Sequence, residues 1–124
     1  MTAPVLQLGT VFVASFPEHA PGGHEQEGLR PAVVVGLPTQ VGRPRFPVLL
    51  LAPLTTFRKQ DWVSAAPNLY PVLPSGTAGL PSQSVVLLDQ TRALDVARLR
   101  RWLGQLSELE YAPLHQALRW MGEP

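Results

Sequence analysis

The chain contains no cysteine, so it has neither a disulfide nor a thiolate metal site, and a reducing, cytoplasmic compartment suits it. It is also poor in charge. Asp, Glu, Lys and Arg make up 15% of its 124 residues, where about a quarter is usual. That shortage, beside 45% hydrophobic residues, excludes a disordered chain and leaves apolar surface for a partner to cover. No apolar run approaches the roughly 18 residues that a membrane span needs. No basic start followed by an apolar stretch marks a secretion signal. There is no internal repeat and no low-complexity segment. The length fits one domain, residues 1–124, large enough to bury a core.

The net charge of +1 hides an uneven distribution. The first forty residues hold Glu18, Glu25, Glu27 and Arg30. The next twenty hold Arg43, Arg45, Arg58 and Lys59 and no acid. This basic block flanks a hydrophobic stretch, so its charges are expected either to gather on one surface or to form a solvated rim.

Fourteen prolines and ten glycines point to short segments joined by turns. Val11 to Val13 reads as a first strand and Pro17 to Gly28 as a long loop. Ala32 to Val35 reads as a second strand, buried on both faces because it is apolar throughout. After a turn-rich connection from Leu37 to Pro44, Phe46 to Leu54 reads as a third strand, closed by Thr55 and Thr56. Phe57 to Pro67 reads as a second long loop. Leu69 to Leu73 reads as an edge strand, since Pro71 would interrupt a central one. Ser84 to Leu88 and Gln90 to Leu94 complete the sheet. In the tail, Leu99, Trp102, Leu103 and Leu106 have helical spacing, with Asp95 as N-cap and Gly104 as stop. Ser107 and Glu110 form a capping box. Beyond them Leu114, Ala117, Leu118 and Met121 line a second helical face, ending at Gly122. The sum is a mainly β chain with helices at its C-terminus, a small bent sheet or barrel.

The densest signal is Glu25-Gln26-Glu27-Gly28-Leu29-Arg30-Pro31-Ala32-Val33-Val34-Val35. An ionisable loop ends in Arg30 at the mouth of a buried strand. There a guanidinium with five donors is aimed by a rigid scaffold, which suits an anion. A salt bridge from Arg30 to Glu25 or Glu27 is the structural alternative.

These residues, taken with others along the chain, resemble the MazF/PemK toxins, the endoribonuclease half of bacterial toxin–antitoxin pairs. The matching pieces stand in the family's order. They are Gly9-Thr10-Val11, the Glu25 to Val34 stretch, Ala52-Pro53-Leu54-Thr55-Thr56, Gly79-Leu80, Ser84-Val85-Val86, Leu88-Asp89-Gln90-Thr91-Arg92, and Leu94-Asp95 with Arg98-Leu99. The resemblance implies a small SH3-like β-barrel (MazF/PemK/CcdB-like) with a C-terminal helix, assembled as a homodimer. It also implies metal-independent, sequence-selective cleavage of single-stranded RNA without a cofactor, and an antitoxin protein that blocks the site.

By the same resemblance Arg30 and Thr55 are the catalytic pair, and Glu25 aligns with an acidic position that some members carry. Arg30 can present its fork to phosphoryl oxygens. Thr55 can donate to a phosphoryl oxygen or orient the attacking group, unless its hydroxyl is tied to its own backbone. Glu25 can accept a proton from the ribose 2′-OH, or stand as a solvated loop carboxylate. Arg43, Arg45, Arg58 and Lys59 can track an RNA backbone, Phe57 and Trp62 can stack on bases, and Gln90 can line the groove. Packing under its own loop is the alternative for both aromatics. Trp102 and Trp120 fall in the helical pattern and are expected to pack in a core or a dimer seam. A loop cluster of His19, His24, Glu25 and Glu27 is too irregular for a metal site. From a different class, a noncatalytic SH3-like module acting on a protein target would also carry these features, with Arg30 structural.

Overall fold

In a computed structural model of the chain, residues 6–17 and 28–124 are described. Among the described residues seven strands make the sheet: β1 (Thr10–Phe16), β2 (Gly28–Gly36), β3 (Val48–Thr56), β4 (Val72–Leu73), β5 (Ser84–Val86), β6 (Arg92–Asp95) and β7 (Leu99–Gln105). A short helix α1 (Asp61–Ala65) follows β3, and a long helix α2 (Glu108–Gly122) ends the chain. The pairing order is β4-β5-β3-β2-β1-β7, with β6 also on β3. All pairings are antiparallel.

β3 organises the sheet because it has more length than any one neighbour can use. Along one edge its first half, Val48 to Leu51, pairs with β6, and its second half, Leu54 to Thr56, pairs with β5. Along the other edge, residues from Leu50 to Pro53 pair with β2. A strand that serves three partners must twist between them, and the sheet curls accordingly. Side chains alternate between two cores. Val11, Val33, Ala52 and Leu54 face α2 through Leu114 and Ala117. Phe12, Ala14, Phe16, Ala32, Val34, Leu49 and Leu51 pack on the other face with Leu94. The continuous apolar character of β2 follows from this double burial.

The curl closes at a backbone contact. The turn at Thr77–Gly79 rides on β7 so closely that a Cβ on Gly79 would lie 2.1 Å from the Leu103 carbonyl oxygen. One on Gly104 would lie 2.5 Å from the Ala78 carbonyl carbon. Gly79 also has a φ of +74°, which side chains disfavour.

The tail departs from the helical expectation over its first part. Residues 99–105 form β7, and Asp95 caps a single 3-10 turn by accepting from the Ala97 N–H at 2.8 Å. Gly104 is not a helix stop but the contact point with Ala78. The capping box is present in full, with Ser107 accepting from the Glu110 N–H and Glu110 accepting from the Ser107 N–H. α2 runs through Pro113, which removes the donor for the Leu109 carbonyl. Both residues lie on the exposed face, where water can satisfy that carbonyl. Leu114 and Ala117 are buried as expected, whereas Met121 and the indoles of Trp102 and Trp120 are about half exposed. Other bounds shift as well. β3 extends through Thr55 and Thr56, the expected edge strand shortens to Val72–Leu73, and the expected loop after β3 contains α1.

Gly79→Ala should therefore lower stability by about 2–3 kcal/mol, through overpacking against β7 and a strained φ. Gly122→Ala, where a Cβ meets nothing within 4 Å, should stay within about 0.5 kcal/mol of the parent. Urea unfolding of the two variants measures the difference.

Candidate active site

The β2–β3 ladder stops at the pair Ala32 and Pro53. Carried one step further, the register would set Pro31 beside Leu54, and Pro31 has no N–H to give. From there the facing edges of the two strands part. β2 is held on its outer edge by β1, where Arg30 pairs with Ala14, and β3 on its outer edge by β5, where Thr55 pairs with Val85. A cleft of about 340 Å³ opens between them, lined by Arg30, Thr55, Thr56, Arg58, Gln60 and Ser84, among others.

The same register places Arg30 opposite Thr55 across the gap. Their faces agree as well. Arg30 shares strand parity with Ala32 and Val34, and Thr55 shares it with Leu49 and Leu51; those four residues pack together. The guanidinium and the hydroxyl thus belong to one face of one split sheet. Both residues are half-buried.

The segment after Thr56 forms the next wall. Lys59 takes a left-handed φ of +58°. The Gln60 side chain holds the turn, accepting from the Arg58 N–H at 2.7 Å and donating to the Thr56 carbonyl at 3.1 Å. The turn delivers α1, whose Val63 packs with Val85 and Leu87 in a small third core. Phe57 and Tyr70 pack against that core, so Phe57 is partly committed to packing.

Thr55 and Gln60 also line a second hollow of about 350 Å³, with Trp62, Tyr70, Asp89 and Gln90. Trp62 and Tyr70 meet edge to face, with centroids 4.9 Å apart and planes at 79°. The Tyr70 hydroxyl donates to Oδ2 of Asp89 at 2.6 Å. That hydrogen bond, then burial, then the carboxylate's charge hold the Tyr70 phenol above its ordinary value of 10.0. Burial does the same to Tyr111. Phe57 and Lys59 line a third, more apolar hollow of about 400 Å³, which Gln60 and Tyr70 also border.

The structure thus brings Arg30, Thr55, Arg58, Trp62 and Gln90 to connected hollows, with Phe57 and Lys59 beside them. It does not gather the basic block on one surface. Arg43 and Arg45 precede β3 while Arg58 and Lys59 follow it, and nine residues of strand at about 3.3 Å each separate the two pairs. Arg45 instead lies over the Phe46 ring at 5.3 Å. Glu25, with His19, His24 and Glu27, lies outside the described residues. Gln60, Tyr70 and Asp89 are the additions. Asp89 lies in the Leu88 to Arg92 motif beside Gln90, whereas no local signal marks Gln60 or Tyr70, which reach the site through a turn and a hydrogen bond between residues distant in sequence.

Over residues 7–122 the chain matches the family described as PemK-like, MazF-like toxin of type II toxin-antitoxin system. The chain belongs to that family. Solved structures agree in fold. MazF from Deinococcus radiodurans is 25% identical with a TM-score of 0.71, covering 98% of this chain and 100% of that one. A chain of the MazE-MazF structure from the same organism is 26% identical, with a TM-score of 0.66 and the same coverage. An endoribonuclease from a mycobacterial species, in complex with its cognate antitoxin, is 18% identical with a TM-score of 0.64. It covers 100% of this chain and 98% of that one, and shows likeness of fold alone. Comparison with curated protein sequences gives no significant match. The PemK/MazF fold is mainly β with a C-terminal helix, as found here. No helix among the described residues is long and apolar enough to cross a membrane.

Alkaline titration tests the Tyr70–Asp89 bond. The chain has two tyrosines, and both phenols should ionise above the ordinary value of 10.0. Because the folded value is raised, the stabilisation is fully present below that ordinary value and is lost as pH rises through the folded one. Asp89→Ala should bring one phenolate absorbance step back toward the ordinary range and leave the other in place.

Proposed function

We propose that the protein is the toxin of a type II toxin–antitoxin pair, and that it cleaves single-stranded RNA at the Arg30–Thr55 cleft. MazF/PemK toxins are endoribonucleases. The observation that carries the reading to this chain is the placement of Arg30 and Thr55 opposite each other where the β2–β3 ladder parts.

RNA brings its own nucleophile. The 2′-OH loses its proton and its oxygen attacks the adjacent phosphorus. The bond from phosphorus to the 5′-oxygen breaks, and that oxygen takes up a proton. The products are a 2′,3′-cyclic phosphate and a 5′-OH end, with no metal in the scheme. In the transition state negative charge builds on the phosphoryl oxygens. Arg30 presents two N–H groups in a fork to that charge, and Thr55 adds a hydroxyl donor from the facing strand. Arg30 acts by charge, since a guanidinium does not give up its proton in proteins. Glu25, three residues before β2 in the sequence, is the candidate base for the 2′-OH proton. Arg58 and Lys59 lie on the turn beside Thr55, where they would meet the phosphates next along the strand, with Trp62 and Gln90 beneath the bases. Arg43 and Arg45 lie outside that path within one protomer.

The resemblance to MazF structures supports assembly as a homodimer. The antitoxin-bound relatives, MazE-MazF and the mycobacterial endoribonuclease, support a cognate antitoxin as the protein partner.

Purified protein should cut a single-stranded RNA pool in the presence of EDTA, leaving 5′-OH ends. Arg30→Ala and Thr55→Val should each lower the cleavage rate by about 10²–10³-fold, with the circular dichroism spectrum retained. Absence of cutting across varied sequences would reject the reading. A folded Arg30→Ala variant that still arrests growth would point to the noncatalytic alternative.

A further inference from the structure

Resting on the endoribonuclease reading, we infer that the hollow formed by Trp62, Tyr70, Asp89 and Gln90 reads the base of a nucleotide flanking the scissile phosphate, and that the base it selects is guanine.

Position is the first argument. Thr55 and Gln60 line both this hollow and the Arg30 cleft. A phosphate held by Arg30 and Thr55 therefore has its neighbouring nucleotide next to the hollow, across Thr55 and Gln60. The hollow's volume of about 350 Å³ is at the lower end of the range for small-molecule sites, which suits one ring system.

The walls are the second argument. Trp62 is 44% exposed although it belongs to a helix that packs a core through Val63. Its indole is held edge to face by Tyr70 rather than buried beneath the loop. An exposed, oriented indole costs solvation unless something stacks on it, and an unstacked base offers a π-face of the right size.

The polar groups are the third argument. Asp89 is acceptor-only, and a carboxylate has about four acceptor sites, of which the Tyr70 hydroxyl uses one. The bond from Tyr70 fixes the carboxylate's orientation. Gln90, next in the chain, carries an NH₂ group that donates. Guanine's pairing edge offers two adjacent donors, N1–H and the 2-amino group, followed by the O6 acceptor. The first two suit the carboxylate and the third suits the Gln90 amide. Uracil keeps one donor, N3–H, but sets its O2 carbonyl where guanine has the 2-amino donor, and cytosine and adenine each place a ring nitrogen acceptor where guanine has N1–H. Each mismatch sets acceptor against acceptor. Tyr70 acts as a positioning residue through Asp89 and does not itself read the base.

The test compares cleavage of one RNA carrying guanine or inosine at the flanking position, since inosine lacks only the 2-amino donor. The position comes from mapping 5′ ends in a randomised pool. The wild-type protein should show guanine enriched beside the cut and a guanine-to-inosine ratio in kcat/KM of about tenfold, in line with the discrimination that a paired donor–acceptor contact provides. In Asp89→Asn the ratio should fall to near one, and in Tyr70→Phe to an intermediate value. A 2′-O-methylated, uncleavable RNA with guanine at that position should quench Trp62 fluorescence in a Trp102→Phe, Trp120→Phe background. Cutting without a flanking guanine preference, or a ratio that Asp89→Asn leaves unchanged in a folded variant, would overturn the inference while leaving the nuclease reading in place. A wild-type protein that cuts no RNA at all would overturn both.

Discussion

The interruption of the β2–β3 ladder after Ala32 and Pro53 is the constraint on which the candidate site depends. Pro31 stands where the next donor would be needed, so continuing the ladder there would cost a hydrogen bond. Past that point the facing edges part, and each strand is held on its outer edge alone, β2 by β1 and β3 by β5. An unbroken ladder would bring Arg30 and Thr55 together as an ordinary cross-strand pair and leave no room for a ligand. The break retains the register and opens the space, so the two side chains share a face and a cleft.

The surroundings keep that opening from collapsing. Each strand leaving the split is anchored in a core of its own, with Ala14, Ala32 and Val34 behind Arg30, and Val85, Leu87 and Val63 beside Thr55. The Gln60 side chain bridges the turn between Thr56 and α1. The close approach of Gly79 to Leu103 and of Gly104 to Ala78 ties the far edge of the curl to β7. Rigid placement of this kind is what an electrostatic catalyst requires, because donors that must reorganise lose their advantage at the moment of reaction.

Much of this architecture was legible in the residues. The apolar run at Ala32 to Val35 and the Ser107–Glu110 cap are read from local chemistry and stand where expected, and the expected Ser84 to Leu88 strand is found but ends at Val86, before a 3-10 turn at Leu88–Gln90. β7 is hidden in the sequence because Leu99, Trp102, Leu103 and Leu106 happen to repeat with helical spacing. Its pairing with β1 contains two register shifts, between Val11 and Phe12 and between Val13 and Ala14. These bulges break the alternation that would have identified a strand. α1 has only five residues, too few to show a period. The basic residues around β3 were close in sequence but are separated by the strand itself, a matter of extended geometry that composition does not carry. Arg30 and Thr55 became a pair through resemblance, and the register supplies the physical reason they meet. Tyr70 and Gln60 depend on contacts across turns, where no sequence pattern marks them.

The central claim is that Arg30 and Thr55 hold one scissile phosphate at the split between β2 and β3. A crystal structure of the protein with an RNA methylated at the 2′-oxygen of its cut site tests it most directly. The account predicts that phosphate in the cleft, with its oxygens within hydrogen-bond distance of both the Arg30 guanidinium and the Thr55 hydroxyl. A phosphate bound away from the split, with Arg30 turned from it, would contradict the account.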